Sequence, residues 1–159
     1  MPISVESPRL RGVAAPLRAI VRAALAAAGR RPGEIAVLLA DDATLRDLNR
    51  RWRGIDRATD VLSFGYEAPV HEASTGRRVD GDIVVSLERV HVQARRFRVS
   101  PGRELARVVV HGALHLSGLE HSTAGGRAHM RRHENLVLRA CAAQVRALER
   151  ALERGPLPT

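Results

Sequence analysis

The sequence predicts an α+β fold, arranged as an α/β sandwich in which a small mixed sheet of four strands packs with about five helices. Four short apolar runs of strand length alternate with longer segments of helical periodicity, a pattern typical of this class. The chain has 159 residues, 45% of them hydrophobic, and contains no internal repeat and no interdomain linker. This length suffices for one core but not comfortably for two. We therefore expect a single domain over residues 1–159.

The first half of the chain contains two predicted strands and two predicted helices. In order, they are a strand at residues 3–6, a helix at residues 16–29, a turn at residues 32–33, a strand at residues 34–39 and a helix from residue 41 or 42 to about residue 51. Pro16 suits the first turn of a helix, and Gly29 suits its end. Either Asp41 or Asp42 can accept hydrogen bonds from the first amides of the second helix.

The second half contains two more strands and three helices. They are a strand at residues 60–64, a loop or loose hairpin at residues 65–80, a strand at residues 81–85, a helix at residues 86–97, a helix from residue 100, a long helix at residues 128–154 and a frayed tail at residues 155–159. Ser86 and Ser100 are suitable caps, and Pro101 suits the first helical position. Cys141 lies in the apolar pattern of the last helix, so we expect it to be a reduced core residue.

Residues 111–121 read HGALHLSGLEH and contain three histidines, His111, His115 and His121. His111 and His115 are four residues apart, so they share one helix face about one turn apart. Gly118 can adopt a positive φ, which lets the chain reverse before His121. Three imidazoles that leave a fourth position open are typical of a catalytic metal site. The motif predicts one divalent ion, zinc first, with nickel or another transition ion as the alternative.

Two other interpretations of this motif compete with a catalytic metal site. The histidines could be ordinary helix-surface or hydrogen-bonded core residues, which is the common case for a single histidine. The motif could also belong to a peptidase of the H-E-x-x-H type, whose glutamate acts as general base. Gly112 occupies the position of that glutamate. A peptidase is therefore disfavoured.

The charge composition indicates a polyanionic partner. The formal net charge is +9 and the sequence pI is about 11.5; all 26 basic residues are arginine. A compositional bias explains arginine in place of lysine but not the surplus of positive charge, so nucleic acid is the favoured partner. Aromatic residues make up only 3% of the chain, which favours contacts to phosphates over base stacking. The sequence has no signal-like N-terminus and no apolar span of ~20 residues, so we expect a cytoplasmic protein without membrane contact.

Two further sequence blocks precede the histidine motif. Residues 48–64 read LNRRWRGIDRATDVLSF, and residues 81–94 read GDIVVSLERVHVQA. Together with the histidine motif, which is similar to H-G-x-L-H-L-x-G-x-D-H, they resemble the YbeY family, bacterial metal-dependent endoribonucleases that act in ribosomal RNA maturation. The blocks occur in the family's order and span most of the region from residue 48 to residue 121.

This resemblance implies a zincin-like metal-hydrolase core, with a zinc-like ion on His111, His115 and His121 and an important arginine at Arg53. It implies a metal-dependent endoribonuclease that acts on single-stranded ribosomal RNA, in maturation of the 16S 3′ end and in ribosome quality control. Small-subunit ribosomal proteins and a ribosome-assembly GTPase are further implied partners. As the catalytic residue, Arg53 could bind a phosphate bidentately and stabilise the charge that builds up in the transition state. Its neighbours Arg50, Arg51 and Arg57 could extend that grip or be solvated surface residues.

The chain also departs from the family pattern. Glu120 stands where the family usually has aspartate, and the following stretch is neutral to basic instead of acidic. It introduces His129 and His133, which we expect to be exposed helix residues because arginines surround them.

Two mechanisms and two alternative functions remain open at this point. Cleavage by the RNA's own 2′-hydroxyl and by an activated water both fit the site. The alternative functions are a non-catalytic ribosome-assembly factor with a structural metal, and a metallohydrolase of peptides or small molecules.

Overall fold

A computed structural model describes residues 3–66, 77–119 and 123–153. It confirms the predicted α+β class, with one four-stranded sheet and six helices in the described residues. The elements in chain order are β1 (Ile3–Glu6), α1 (Ala14–Ala27), β2 (Arg31–Ala40), α2 (Asp42–Arg53), β3 (Val61–Tyr66), β4 (Arg78–Ser86), α3 (Leu87–Phe97), α4 (Pro101–Leu116), α5 (Ala124–Ala140) and α6 (Ala142–Glu153).

The sheet is mixed, as predicted, with the strand order β1-β2-β4-β3. Strands β1, β2 and β4 are parallel, whereas β3 runs antiparallel to β4 at the edge. Successive side chains of β3 point to opposite faces. Val61 and Ser63 face α4, where they surround Gly112. Leu62 and Phe64 face the other way and pack with Leu45 of α2. Helices α4 and α2 therefore cover opposite faces of the same edge strand.

Helix α4 is the central element of the core. It contacts α1, α3, α5 and α6 as well as β3 and β4. Its apolar residues, including Leu105, Val109 and Ala113, are fully buried, which is typical of a helix that is apolar over most of its circumference. Because neighbours surround it on most sides, the helix offers only a narrow stripe for polar side chains.

Two strands begin earlier than predicted. The predicted turn at residues 32–33 lies inside β2, because Arg31 pairs with Arg78 of β4. An irregularity in register between Pro32 and Ile35 accommodates the proline, which lacks an amide donor. The carboxylate of Asp80 accepts a hydrogen bond from the backbone amide of Glu34 at 2.7 Å. Long-range pairing thus overrides the local turn signal, and β4 begins at residue 78 instead of residue 81.

The predicted last helix is two helices. Helix α5 begins after Thr123, whose side chain accepts a hydrogen bond from Gly126, and it ends at Cys141. Cys141 is buried as predicted, and burial raises the pKa of its thiol, which keeps it protonated. Predicted features at residues 67–76 and 155–159 lie outside the described residues. None of the described helices is long and apolar enough to span a membrane.

Candidate functional site

The histidine motif lies on the last two turns of α4. Ser100 caps this helix by accepting a hydrogen bond from the amide of Arg103 at 3.1 Å, and Pro101 fills its first turn. The rings of His111 and His115 are on one face, with centroids 5.8 Å apart and an interplanar angle of 62°. Gly118 has a φ of +96°, so it adopts the positive φ that the sequence predicts at this helix end.

The third predicted ligand, His121, lies outside the described residues. Within the described ranges, no group of three or more histidine, cysteine, aspartate or glutamate side chains is arranged to hold a metal ion. The described pair can be tested for its fit to zinc. A nitrogen–zinc distance of 2.0–2.1 Å puts each ring centre about 3 Å from the ion, so two rings that share an ion have centres no more than ~6 Å apart. The pair at His111 and His115 meets this condition.

Glu134 of α5 is a site residue that the sequence analysis missed. Its carboxylate Oε1 lies 2.8 Å from Nδ1 of His111, and the glutamate is only 7% exposed. Histidines that bind metals usually present one ring nitrogen to a carboxylate, which fixes the tautomer and the ring orientation. The sequence contains a signal for its burial but not for its partner, because Glu134 lies four residues after Met130 on the buried side of its helix.

A second polar cluster lies one to two turns before His111 on α4. Glu104 is 2% exposed and accepts two hydrogen bonds from the guanidinium of Arg107, at 3.0 Å and 2.7 Å. Gln93 of α3 can donate from its amide to both Glu104 and Asp60, at 2.7 Å and 3.2 Å. Hydrogen bonding to Glu104 raises the pKa of Arg107 further. The cluster joins α3, α4 and the start of β3 beside the histidines.

Gly112 has a packing role. A Cβ atom at this position would lie 2.9 Å from Cγ2 of Ile83 and 3.2 Å from Cγ2 of Val61. The hydroxyl of Ser63 donates a hydrogen bond to the backbone oxygen of Gly112 at 3.0 Å. Helix α4 therefore contacts the sheet at Gly112, which lies between His111 and His115 in the sequence. A glutamate, which the peptidase motif requires here, would have no space.

Arg53 is exposed at the last position of α2. Helix α2 covers the opposite face of β3 from α4, and in the described part of the chain no hydrogen bond or ion pair links Arg53 to His111 or His115. Gly54 ends the helix in the left-handed conformation, with a φ of +70°. Buried Asn49 donates to the backbone oxygen of Arg57 at 2.9 Å, which fixes the loop that follows.

The other basic residues around this helix end behave as surface groups. Arg50 and Arg51 are exposed and pair with Asp47 at 2.7 Å and 3.2 Å. These contacts agree with the interpretation of both as solvated residues of a helix end.

The two additional histidines lie on α5. His129 is exposed, as expected, whereas His133 is half-buried; their rings stack edge to face with centroids 4.4 Å apart.

A cleft of 350 Å³ lies beside His111, between α4 and α5. Its remaining lining residues are Arg107, Arg127, Met130, Arg131 and Glu134. Arg127 and Arg131 are exposed and form no ion pair with the described residues, whereas Glu104 neutralises Arg107. The basic segment that departs from the family pattern therefore contributes positive charge to the edge of the histidine site.

A solved structure of another protein has the same fold as this chain. The solution structure of TM1509 from Thermotoga maritima, at 24% identity and a TM-score of 0.55 over 89% of this chain and 91% of that one, shows the same fold.

The sequence relatives are more similar. A protein named endoribonuclease YbeY from an Anaeromyxobacter species is 44% identical over 87% of this chain and 70% of its own length. Proteins of that name from Moorella thermoacetica and Desulforamulus reducens are each 40% identical. They cover 77% and 86% of this chain, and 82% and 88% of their own lengths. The family described as endoribonuclease YbeY matches residues 7–142. The chain therefore belongs to the endoribonuclease YbeY family.

Proposed function

We propose that this protein is a metal-dependent endoribonuclease that cleaves single-stranded regions of ribosomal RNA. Family membership supports the activity on RNA, and the net charge of +9 suits a polyanionic substrate. The observation that carries the metal dependence is the contact between Glu134 and Nδ1 of His111. A buried carboxylate at one ring nitrogen is the arrangement that prepares the other nitrogen of a histidine for a metal.

His111, His115 and His121 would hold the ion, with zinc as the first choice and nickel as the alternative. When bound, such an ion polarises a phosphoryl oxygen and lowers the pKa of a coordinated water towards ~7. The protein's own contribution is to fix the ligands. Glu134 orients His111, and the close contact of Gly112 with β3 prevents α4 from shifting along the sheet.

The arginines would bind the substrate. Arg53 is exposed and carries a permanently charged, planar guanidinium that can make two parallel hydrogen bonds to a phosphate. In this proposal it stabilises the negative charge that builds up on the phosphate during cleavage. Arg127 and Arg131 line the cleft beside His111 and would contact neighbouring phosphates of the same strand.

We propose 16S ribosomal RNA 3′-end maturation and ribosome quality control as the cellular roles, with cytoplasmic location. Small-subunit ribosomal proteins and a ribosome-assembly GTPase are the proposed protein partners. These roles rest on the family assignment.

One experiment separates this function from its alternatives. The purified protein, with and without a chelator, is incubated with structured ribosomal RNA and with a peptide library, and its metal content is measured by elemental analysis. We expect about one zinc per chain and RNA cleavage that the chelator abolishes and zinc restores. Binding of RNA without cleavage would indicate a non-catalytic assembly factor, and cleavage of peptides would indicate a different hydrolase. Cleavage that survives complete metal removal would contradict the proposal.

A further inference from the structure

Three of the four aromatic residues in this chain lie together on one face of the edge strand β3. Phe64 and Tyr66 are two residues apart on this strand, so their side chains share the face covered by α2. Trp52, on the last turn of α2, meets Phe64 edge to face, with ring centroids 6.3 Å apart. The fourth aromatic residue, Phe97, is at the end of α3.

This aromatic cluster, formed by Trp52, Phe64 and Tyr66, is largely exposed. Trp52 is 70% exposed and Tyr66 is 55% exposed, while Phe64 packs against the small core below them. Because most of the indole ring faces solvent, its burial contributes little to folding. Large aromatic side chains left in solvent are typical of binding surfaces.

The contacts of the cluster also hold its rings in place. The hydroxyl of Tyr66 donates a hydrogen bond to the carboxylate of Asp82 on the neighbouring strand. Phe64 supports the edge of Trp52 from the sheet. Rings held in this way lose little conformational freedom when a flat partner stacks on them, which favours binding.

The arginines close to this cluster in the sequence indicate which class of partner binds it. Arg53 adjoins Trp52 in sequence, is exposed and forms no ion pair with the described residues. Arg57, in the loop that follows, is also exposed. An exposed aromatic ring beside unneutralised arginines matches the surfaces that bind single-stranded nucleic acids, where bases stack on the rings and the cations contact the backbone. An apolar protein partner would leave these charges without compensation.

We propose that Trp52, supported by Phe64 and Tyr66, is a stacking platform for an unpaired base of single-stranded RNA. The inference rests on the proposed function, because it assigns a base-binding surface to the same substrate. It differs from the expectation, drawn from the low aromatic content, that contacts to phosphates are favoured over base stacking. Three of the four aromatic residues are concentrated at one place, and Arg53 directly follows one of them in the sequence.

The test uses the intrinsic fluorescence of the full chain, because Trp52 is its only tryptophan. The protein is titrated, in the presence of a chelator, with a ten-nucleotide 2′-O-methyl oligoadenylate and with an abasic oligomer of the same backbone. We expect the oligoadenylate to quench the emission, because a stacked base contacts the indole directly. The abasic oligomer carries the same charge and should bind more weakly, with little quenching.

Variants provide the second measurement. With a fluorescein-labelled oligoadenylate, polarisation should show that Trp52→Ala weakens binding about 5- to 150-fold, the effect of losing one stacked base. Trp52→Phe keeps a flat ring and should recover most of the affinity. Phe97→Ala is the matched control, since Phe97 is 54% exposed and belongs to α3 and not to this cluster. It should bind like the unaltered protein.

Three results would overturn the proposal. They are equal quenching by the abasic oligomer, unchanged affinity of Trp52→Ala, and quenching by purified small-subunit ribosomal proteins but not by the oligonucleotide. The last result would assign the surface to a protein partner. None of these measurements requires cleavage, so failure of the stacking platform is distinguishable from failure of the nuclease function.

Discussion

The two faces of strand β3 differ in how firmly their functional side chains are held. On the α4 face, His111 is hydrogen-bonded to buried Glu134, and Arg107 donates hydrogen bonds to Glu104. On the α2 face, Trp52 and Arg53 are exposed. This difference fits a division of labour in which one face fixes reactive groups and the other meets a flexible substrate. In the proposed function, the α4 face would hold the metal rigidly, whereas exposed Arg53 would reach the phosphate of a flexible RNA strand and stabilise its developing charge.

The largest expected effect tests the α4 face directly. Replacing His115 with alanine removes one of the three proposed ligands, so metal retention and RNA cleavage should be lost together. Elemental analysis and a gel-based cleavage assay measure both. His129→Ala is the control, because His129 is an exposed histidine of α5. If the metal-free His115→Ala variant cleaves at the normal rate, the proposed site is wrong.

Arg53→Ala tests the opposite face. We expect it to keep the fold and the metal but to reduce cleavage by about 100-fold, the typical effect of removing one group that stabilises transition-state charge. Circular dichroism and metal analysis verify that only activity changes. Arg51→Ala, at the same helix end but paired with Asp47, should leave the cleavage rate nearly unchanged. Unfolding of Arg53→Ala would instead make the arginine structural.

Glu134→Gln tests how much the hydrogen bond between Glu134 and His111 contributes to metal binding. The amide keeps the shape of the side chain but loses its charge, so His111 is oriented less firmly. We expect metal affinity, measured by competition with a chelating dye, to fall about 10- to 100-fold. Glu153→Gln, at an exposed position of α6, should not change it. Equal affinities of these two variants would show that Glu134 has no role in metal binding.

Gly112→Ala tests the contact between α4 and β3 and should have the smallest effect. The new methyl group would collide with Ile83 and Val61, which costs about 1–3 kcal/mol, while alanine gains up to ~1 kcal/mol of helix propensity. We expect a net loss of about 1 kcal/mol in urea denaturation. Gly125→Ala on α5, where nothing lies within 4 Å, should be neutral or stabilising. A stabilised Gly112→Ala variant would refute the close contact.

The sequence predicted the fold class, the sheet and the central helix because their signals are local. Ser100 and Pro101 mark the start of α4, and Gly118 marks the reversal after it. Asp41, not Asp42, caps α2, a choice that the sequence left open; its carboxylate accepts a hydrogen bond from Thr44 at 2.8 Å. Local patterns did not predict the extension of β2 through Pro32, because pairing with β4 decides it.

The candidate site was predictable only in part, for the same reason. The spacing of His111 and His115 determines their shared face, and the structure confirms it. Glu134 is 23 residues away from His111, so only the packing of α5 on α4 reveals their contact. The aromatic cluster was likewise hidden, because a 3% content says nothing about where the rings are placed. Ligation by His121 and the role of Arg53 remain predictions.

The strand order has a consequence for biosynthesis. β4 lies between β2 and β3, yet it is the last strand of the sheet in the chain. During translation, β3 leaves the ribosome before β4, its neighbour in the sheet of the described residues, has emerged. Until residues 78–86 emerge, its backbone is an unprotected template that other extended segments can pair with. Emergence of β4 soon after β3, or shielding by a chaperone, limits the time for which this edge is exposed.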